Sequence, residues 1–264
     1  MATFAHISDL HFGYDESVVP NMRRLVSHLV AEGIDRVLCT GDITHRGREE
    51  EFEAFIDAFA PLLDADRLTL VPGNHDRCGD DVADSIMHGE RVVGVDLGEL
   101  FVVRLDSTGP HNHTMFRGHG LVTPTDLLSL RETLEDADDD QLVVVMMHHH
   151  PYPLPEEGRL ERLSRWAGLP FTDALHSGVD VLEIASGRCD LVLHGHRHVA
   201  TQRLHRGAGR PLGIYNAGCT AEQGRYRVFT HEGGALTRPP RWSELAHGHG
   251  HGHRGTSPLT GTRS

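Results

Sequence analysis

Five short apolar stretches, 3–7, 36–40, 67–72, 142–147 and 190–194, each run into a polar cluster: Ser8-Asp9-Leu10-His11, Gly41-Asp42, Gly73-Asn74-His75-Asp76, His148-His149-His150 and Gly195-His196-Arg197-His198. Runs this short, rich in Val, Leu and Ile and bounded by Gly, Asp or Pro, read as buried strands. The polar residues then stand at strand C-terminal ends. In open α/β sheets the loops leaving those ends converge on one crevice, where ligands bind. A chain that sends His, Asp and Asn from five strands to one edge is held to a sheet-based fold with a single polar focus.

The residue types fit two metal ions. A carboxylate at a strand tip, such as Asp42, can bridge two divalent ions roughly 3.5 to 4 Å apart. Carboxylate and amide oxygens with neutral imidazoles suit Mn, Fe, Zn, Co or Ni; thiolates would favour zinc or copper(I), and no cysteine falls in the set. In Asp9-x-His11 and His196-x-His198, an extended backbone would turn both side chains of each pair to one face.

In this order, D-x-H, G-D, G-N-H-D, a His run after a strand and G-H-x-H, the chain resembles the calcineurin-like metallophosphoesterases, from Asp9 to His198 of its 264 residues. The resemblance implies an α/β (α+β) fold, a four-layer αββα sandwich of two mixed β-sheets flanked by helices. It also implies a dinuclear centre, with Asp9, His11, Asp42 and His198 on one ion and Asp42, Asn74, His148 and His196 on the other. His148 is chosen from the triplet because His-His-His-Pro is similar to the run in the bacterial class III cyclic-nucleotide phosphodiesterase branch; His149 and His150 remain alternatives. Gly47 keeps the family's glycine at the expected distance from Asp42.

The implied activity is hydrolysis of phosphate esters, most closely of small diesters such as 3′,5′-cyclic nucleotides. A water between two cations is acidified towards neutral pH and becomes the nucleophile. His75, oriented by Asp76, would contact the phosphate and protonate the leaving group. Asn74, His75, Arg77 and His113 are the candidate substrate contacts, although Arg77 can equally pair with an acid such as Asp80. Other small-diester hydrolases (glycerophosphodiester), nucleotide pyrophosphatases and phosphomonoesterases are the alternatives. A metal-handling or scaffold protein is the non-enzymatic one.

Helical stripes fill the spaces between strands, with Met22, Leu25, Val26, Leu29 and Val30 in one and Phe52, Phe55, Ile56 and Phe59 in another. Thr123, Pro124 and Asp126 read as a capping box. Strands are expected at 100–106, 212–217 and 225–230, and a helix within 160–187. Residues 1–245 read as one domain. Residues 246–264 carry alternating His and Gly and read as a disordered tail able to bind metal weakly.

The formal charge of −13 argues against a nucleic-acid polymer as partner, since such binders displace counterions with basic surfaces. The expected partner is a small phosphodiester or nucleotide, with self-association left open. Four scattered cysteines read as reduced thiols. No signal-peptide pattern or membrane span is read, which gives a cytoplasmic expectation.

Overall fold

The computed structural model describes residues 1–114, 118–152, 175–207 and 211–245. Within them two mixed sheets face one another. In the first, β1 (Ala2–Ile7), β2 (Arg36–Thr40) and β3 (Leu68–Val71) run parallel, and β10 (Arg225–Glu232) pairs antiparallel with β1. The small strands β11 (Ala235–Leu236) and β12 (Arg241–Glu244) add to β10. In the second sheet β5 (Leu100–Leu105), β6 (Leu142–Met146), β7 (Leu191–His194) and β9 (Leu212–Asn216) are parallel, bordered by the antiparallel strands β4 (Val92–Asp96) and β8 (Gln202–His205).

Helices cover both outer faces. The stripes on α1 (Val18–Ala31) and α2 (Glu49–Leu63) pack on the first sheet, in one apolar cluster that continues to the inner face of the second through Val102, Val144, Met146 and Leu193. Alternate residues of the same strands, Val103, Val143, Val145 and Val192, turn outward against Leu130 and Leu134 of α4 (Pro124–Glu135) and Val181 and Leu182 of α5 (Gly178–Ala185). Being buried on both faces is why these strands read as unbroken apolar runs. The result is the expected four-layer αββα sandwich.

Thr123 caps α4 as expected, its hydroxyl accepting from the Asp126 amide while Asp126 accepts from the Thr123 amide. Two residues of the sequence stripes lie outside the core: Val30 and Ile56 are 43% and 40% exposed. Of the stretch 160–187, residues 175–187 are described, with α5 inside them. Arg117, residues 153–155 and the His-Gly tail lie outside the described residues. No helix among the described residues is long and apolar enough to cross a membrane. All four cysteines are buried free thiols.

Phe4 of β1 and Phe229 of β10, paired across neighbouring strands of the first sheet, stack at 4.6 Å and are fully buried. Phe229→Ala removes that fully buried ring, and an expected loss of about 3–5 kcal/mol follows. Denaturant unfolding of the full chain measures it; a loss under about 1 kcal/mol would show that the pair is not central to the core.

Candidate metal centre

The polar residues do gather at strand C-terminal ends, but the backbone there is not extended. Asp9 (φ 56°), His11 (49°), Asp42 (51°), His196 (76°) and His198 (52°) all take left-handed conformations. A non-glycine residue held there costs on the order of 1 kcal/mol, and persists only where the surroundings over-determine it. The expectation of extended Asp9-x-His11 and His196-x-His198 pairs is thus corrected: each pair converges by tight turns. Backbone bonds hold those turns. The Asp42 carbonyl accepts from both the Leu10 and His11 amides (2.9 and 3.0 Å), and the Asp9 amide donates to the Gly41 carbonyl at 3.0 Å.

Two glycines let the loops close on one another. A Cβ on Gly73 would lie 2.2 Å from Asp42 Oδ1, and one on Gly195 would lie 1.9 Å from Ser8 Oγ and 2.6 Å from Asp9 Oδ2. Side chains at these positions would push the carboxylates out of place.

The donors form two adjoining groups. In the first, His11 Nε2 and His198 Nε2 approach to 3.0 Å, with His198 Nε2 3.5 Å from Asp9 Oδ1 and His11 Nε2 4.0 Å from Asp42 Oδ2. In the second, His148 Nε2 lies 3.3 Å from Asp42 Oδ2 and 3.2 Å from Asn74 Oδ1, while His196 Nδ1 lies 2.9 Å from Asn74 Oδ1 and 3.3 Å from His148 Nε2. Asp42, 2% exposed, stands between them. All seven sequence-predicted metal residues come together.

The His triplet divides by role. His148 Nδ1 meets the Thr40 carbonyl at 2.7 Å, which leaves Nε2 directed at Asp42 and Asn74. A backbone carbonyl on one ring nitrogen is the usual device for fixing the ligand nitrogen. His149 has both nitrogens engaged, by Ser107 Oγ at 2.9 Å and the Gly118 carbonyl at 2.9 Å. His150 stacks on His196 with ring centroids 5.6 Å apart.

Protonation suits metal uptake. Burial pushes His11 down to about 3 and His196 well below its usual range, so both rings are neutral donors. Burial also works against charge on His148, but the adjacent Asp42 carboxylate outweighs it and raises the ring to about 9. Ligation needs that ring neutral, so metal binding at pH 7 is expected to expel its proton, with the release fading as pH rises through about 9. Calorimetry in buffers of different ionisation enthalpy measures the release; none at pH 7 would contradict the assignment of His148.

The first donor group opens on a cleft of about 120 Å³ lined by His11, Tyr14, His45, His75, His198 and Glu222, among others. The His75 amide donates to Asp42 Oδ1 at 2.9 Å, and its Nδ1 donates to the His45 carbonyl at 2.7 Å. The expectation that Asp76 orients the ring is corrected. The Asp76 carboxylate, fully buried, accepts from the amides of Ile43, Thr44 and Gly73 and from the Thr44 hydroxyl, and so clamps the two loops carrying Asp42 and Asn74 together.

The calcineurin-like phosphoesterase profile matches residues 2–200. The chain belongs to the calcineurin-like phosphoesterase family. A probable cyclic nucleotide phosphodiesterase of Vesicomyosocius okutanii subsp. Calyptogena okutanii is 31% identical over 71 residues, which span 27% of this chain and 30% of that relative. A dimetal phosphatase of Danio rerio superposes with a TM-score of 0.60 at 14% identity, covering 93% of this chain and 99% of that one. A Thermus thermophilus protein superposes at 0.52 with 15% identity, covering 93% of this chain and 99% of that one. These two likenesses bear on the fold alone.

In this member of the calcineurin-like phosphoesterase family the site residues fit divalent ions. Carboxylates, an amide oxygen and imidazoles converge without a thiolate in the seven, the set that hard and borderline divalent ions prefer. Arg77 and His113 do not line the cleft. Arg77 is occupied by Thr108 Oγ1 (2.8 Å), Asp81 (3.1 Å), Asp84 and Asp106 (2.8 Å), which hold its guanidinium even more firmly charged than usual against its burial. His113, its Nδ1 2.6 Å from the Pro110 carbonyl, shares with Arg77 and Arg91 a separate cavity of about 560 Å³. Both thus stand apart from the cleft that His75 lines. Tyr14, His45 and Glu222 were missed; His45 sits three residues after Asp42, and that offset was the available signal.

Proposed function

We propose that this chain is a dinuclear phosphodiesterase that hydrolyses small diesters such as 3′,5′-cyclic nucleotides. The observation that carries the reading is the convergence of six other ligand side chains around Asp42, with His75 beside them on the cleft. The partial relative named as a probable cyclic nucleotide phosphodiesterase supports the substrate class. So does the charge of −13, which disfavours long nucleic acids.

Asp9, His11, Asp42 and His198 would hold one ion and Asp42, Asn74, His148 and His196 the other. When bound, such a pair supplies Lewis-acid polarisation of the phosphoryl oxygens and a nucleophile at neutral pH. The protein supplies position and protons. Asn74 fixes the second group through His148 and His196. The His75 ring, pinned at Nδ1 by the His45 carbonyl, keeps Nε2 for the substrate. As the bond from phosphorus to the leaving oxygen breaks, the imidazolium form of His75 gives its Nε2 proton to that oxygen while Nδ1–H stays on the His45 carbonyl, and the oxygen of a water that has shed a proton bonds phosphorus on the opposite side. Asp76 keeps the Asp42 and Asn74 loops in register.

The test is metal-stripped protein reloaded with Mn, Fe or Zn and assayed on 3′,5′-cyclic AMP, a glycerophosphodiester and a phosphomonoester. Metal-restored turnover of the cyclic diester is expected. Turnover of the glycerophosphodiester alone would move the substrate class, and turnover of the monoester alone would overturn the diesterase reading.

A further inference from the structure

The cleft beside His75 has an asymmetric rim. Tyr14 projects from one side, 64% exposed, with its ring edge-on to His45 at 5.1 Å. An exposed aromatic ring over a cleft is otherwise an unfavourable arrangement, and here the backbone enforces it. The Tyr14 amide donates to the His11 carbonyl at 3.0 Å, and Gly13 takes φ +92° with buried Glu51 where a side chain at residue 13 would go, 2.3 Å from the Cβ position. The Tyr14 backbone is therefore held by the same turn that carries His11.

Glu222 stands among the same lining residues, on the short helix α6 (Thr220–Gln223). Its base is anchored to the D-x-H loop: the Thr220 amide donates to the Ser8 carbonyl at 2.9 Å, and the Ser8 amide to Thr220 Oγ1 at 3.1 Å. Glu222 Oε1 lies 3.6 Å from His198 Nδ1, on the side of the ring away from Asp9, yet the side chain is 63% exposed. Neither Lys nor Arg is among the described lining residues, and Arg77 is occupied by carboxylates. Among the described lining residues, a second negative charge on the substrate thus meets the Glu222 carboxylate and neither Lys nor Arg.

We propose that Glu222 and Tyr14 set ester selectivity: Glu222 disfavours the dianionic phosphate of a monoester, and Tyr14 offers its ring to the second ester substituent, a planar group such as a nucleobase or aryl. A diester carries one negative charge and two substituents, so it suits both residues. This inference rests on the diesterase reading above. Like-charge repulsion at a partly solvated site and aromatic stacking each change relative rates by about tenfold.

The test compares kcat/KM for bis(p-nitrophenyl) phosphate and p-nitrophenyl phosphate in metal-loaded wild type, Glu222→Gln, Glu222→Ala and Tyr14→Ala, with metal content and thermal melting recorded for each. In both Glu222 variants the monoester-to-diester ratio is expected to rise about three- to tenfold, by a fall in monoester KM. In Tyr14→Ala the ratio is expected to rise because diester KM rises about tenfold with kcat less affected. A Glu222 carboxylate that merely steadies His198 would lower both substrates together and leave the ratio fixed; that result overturns the proposal. Wild type that favours the monoester would remove the diesterase reading itself, before any variant is compared.

Discussion

Asp42→Ala is expected to lose at least one of two bound ions and about a thousandfold in turnover. The carboxylate is the common member of both donor groups, 3.3 Å from His148 Nε2 and 4.0 Å from His11 Nε2, and it also accepts the His75 amide. A bridging carboxylate contributes to both cation sites, and metal catalysis of this kind supplies several kcal/mol, where each 1.4 kcal/mol is about tenfold. The loss is in the chemistry rather than the fold, because the Asp42 carbonyl still takes the Leu10 and His11 amides. Asp42→Asn separates shape from charge and is expected to be nearly as impaired. Two ions per chain with turnover within tenfold of wild type would show that Asp42 is not the bridge.

His75→Ala is expected to leave the metal content intact and to reduce diester turnover by about 10²- to 10⁴-fold. Its backbone amide, which holds Asp42 Oδ1 at 2.9 Å, survives the substitution. The loss should follow the leaving group. An alkoxide, as in a cyclic nucleotide, needs the proton that His75 gives, whereas p-nitrophenolate departs largely unaided. The deficit on 3′,5′-cyclic AMP should therefore exceed that on bis(p-nitrophenyl) phosphate by about tenfold or more. Equal deficits would assign His75 to phosphate binding alone, and wild-type rates would remove it from the mechanism.

The layered sheet was legible in the sequence because β6 and β7 are buried along their length, and β1, β2 and β3 are short, mostly apolar runs that end in buried residues. The border strands were not. β8 reads Gln-Arg-Leu-His with three exposed positions, and β4 is interrupted by a glycine, so neither shows the period of a half-buried strand. The metal residues were legible because their motifs are short and local. Their turns were not: left-handed Asp9 and His11 are held by hydrogen bonds to Gly41 and Asp42 of a distant loop, which spacing along the chain does not record. Arg77 does pair with acids, but with Asp81, Asp84 and the distant Asp106 rather than Asp80, and the contact with Asp106 could not be read from spacing. Tyr14 and Glu222 come from distant parts of the chain, and the contacts of Ser8 and Asp9 with Cys219 and Thr220 bring them to one cleft.

Metal titration of stripped protein tests the dinuclear account most directly, with bound ions counted by elemental analysis and 3′,5′-cyclic AMP turnover followed in the same samples. The prediction is two ions per chain, with turnover appearing as the second equivalent binds. Full turnover with one ion, or two tightly bound ions with no turnover of any phosphoester, would contradict it, and the second outcome would turn attention to a metal-handling role.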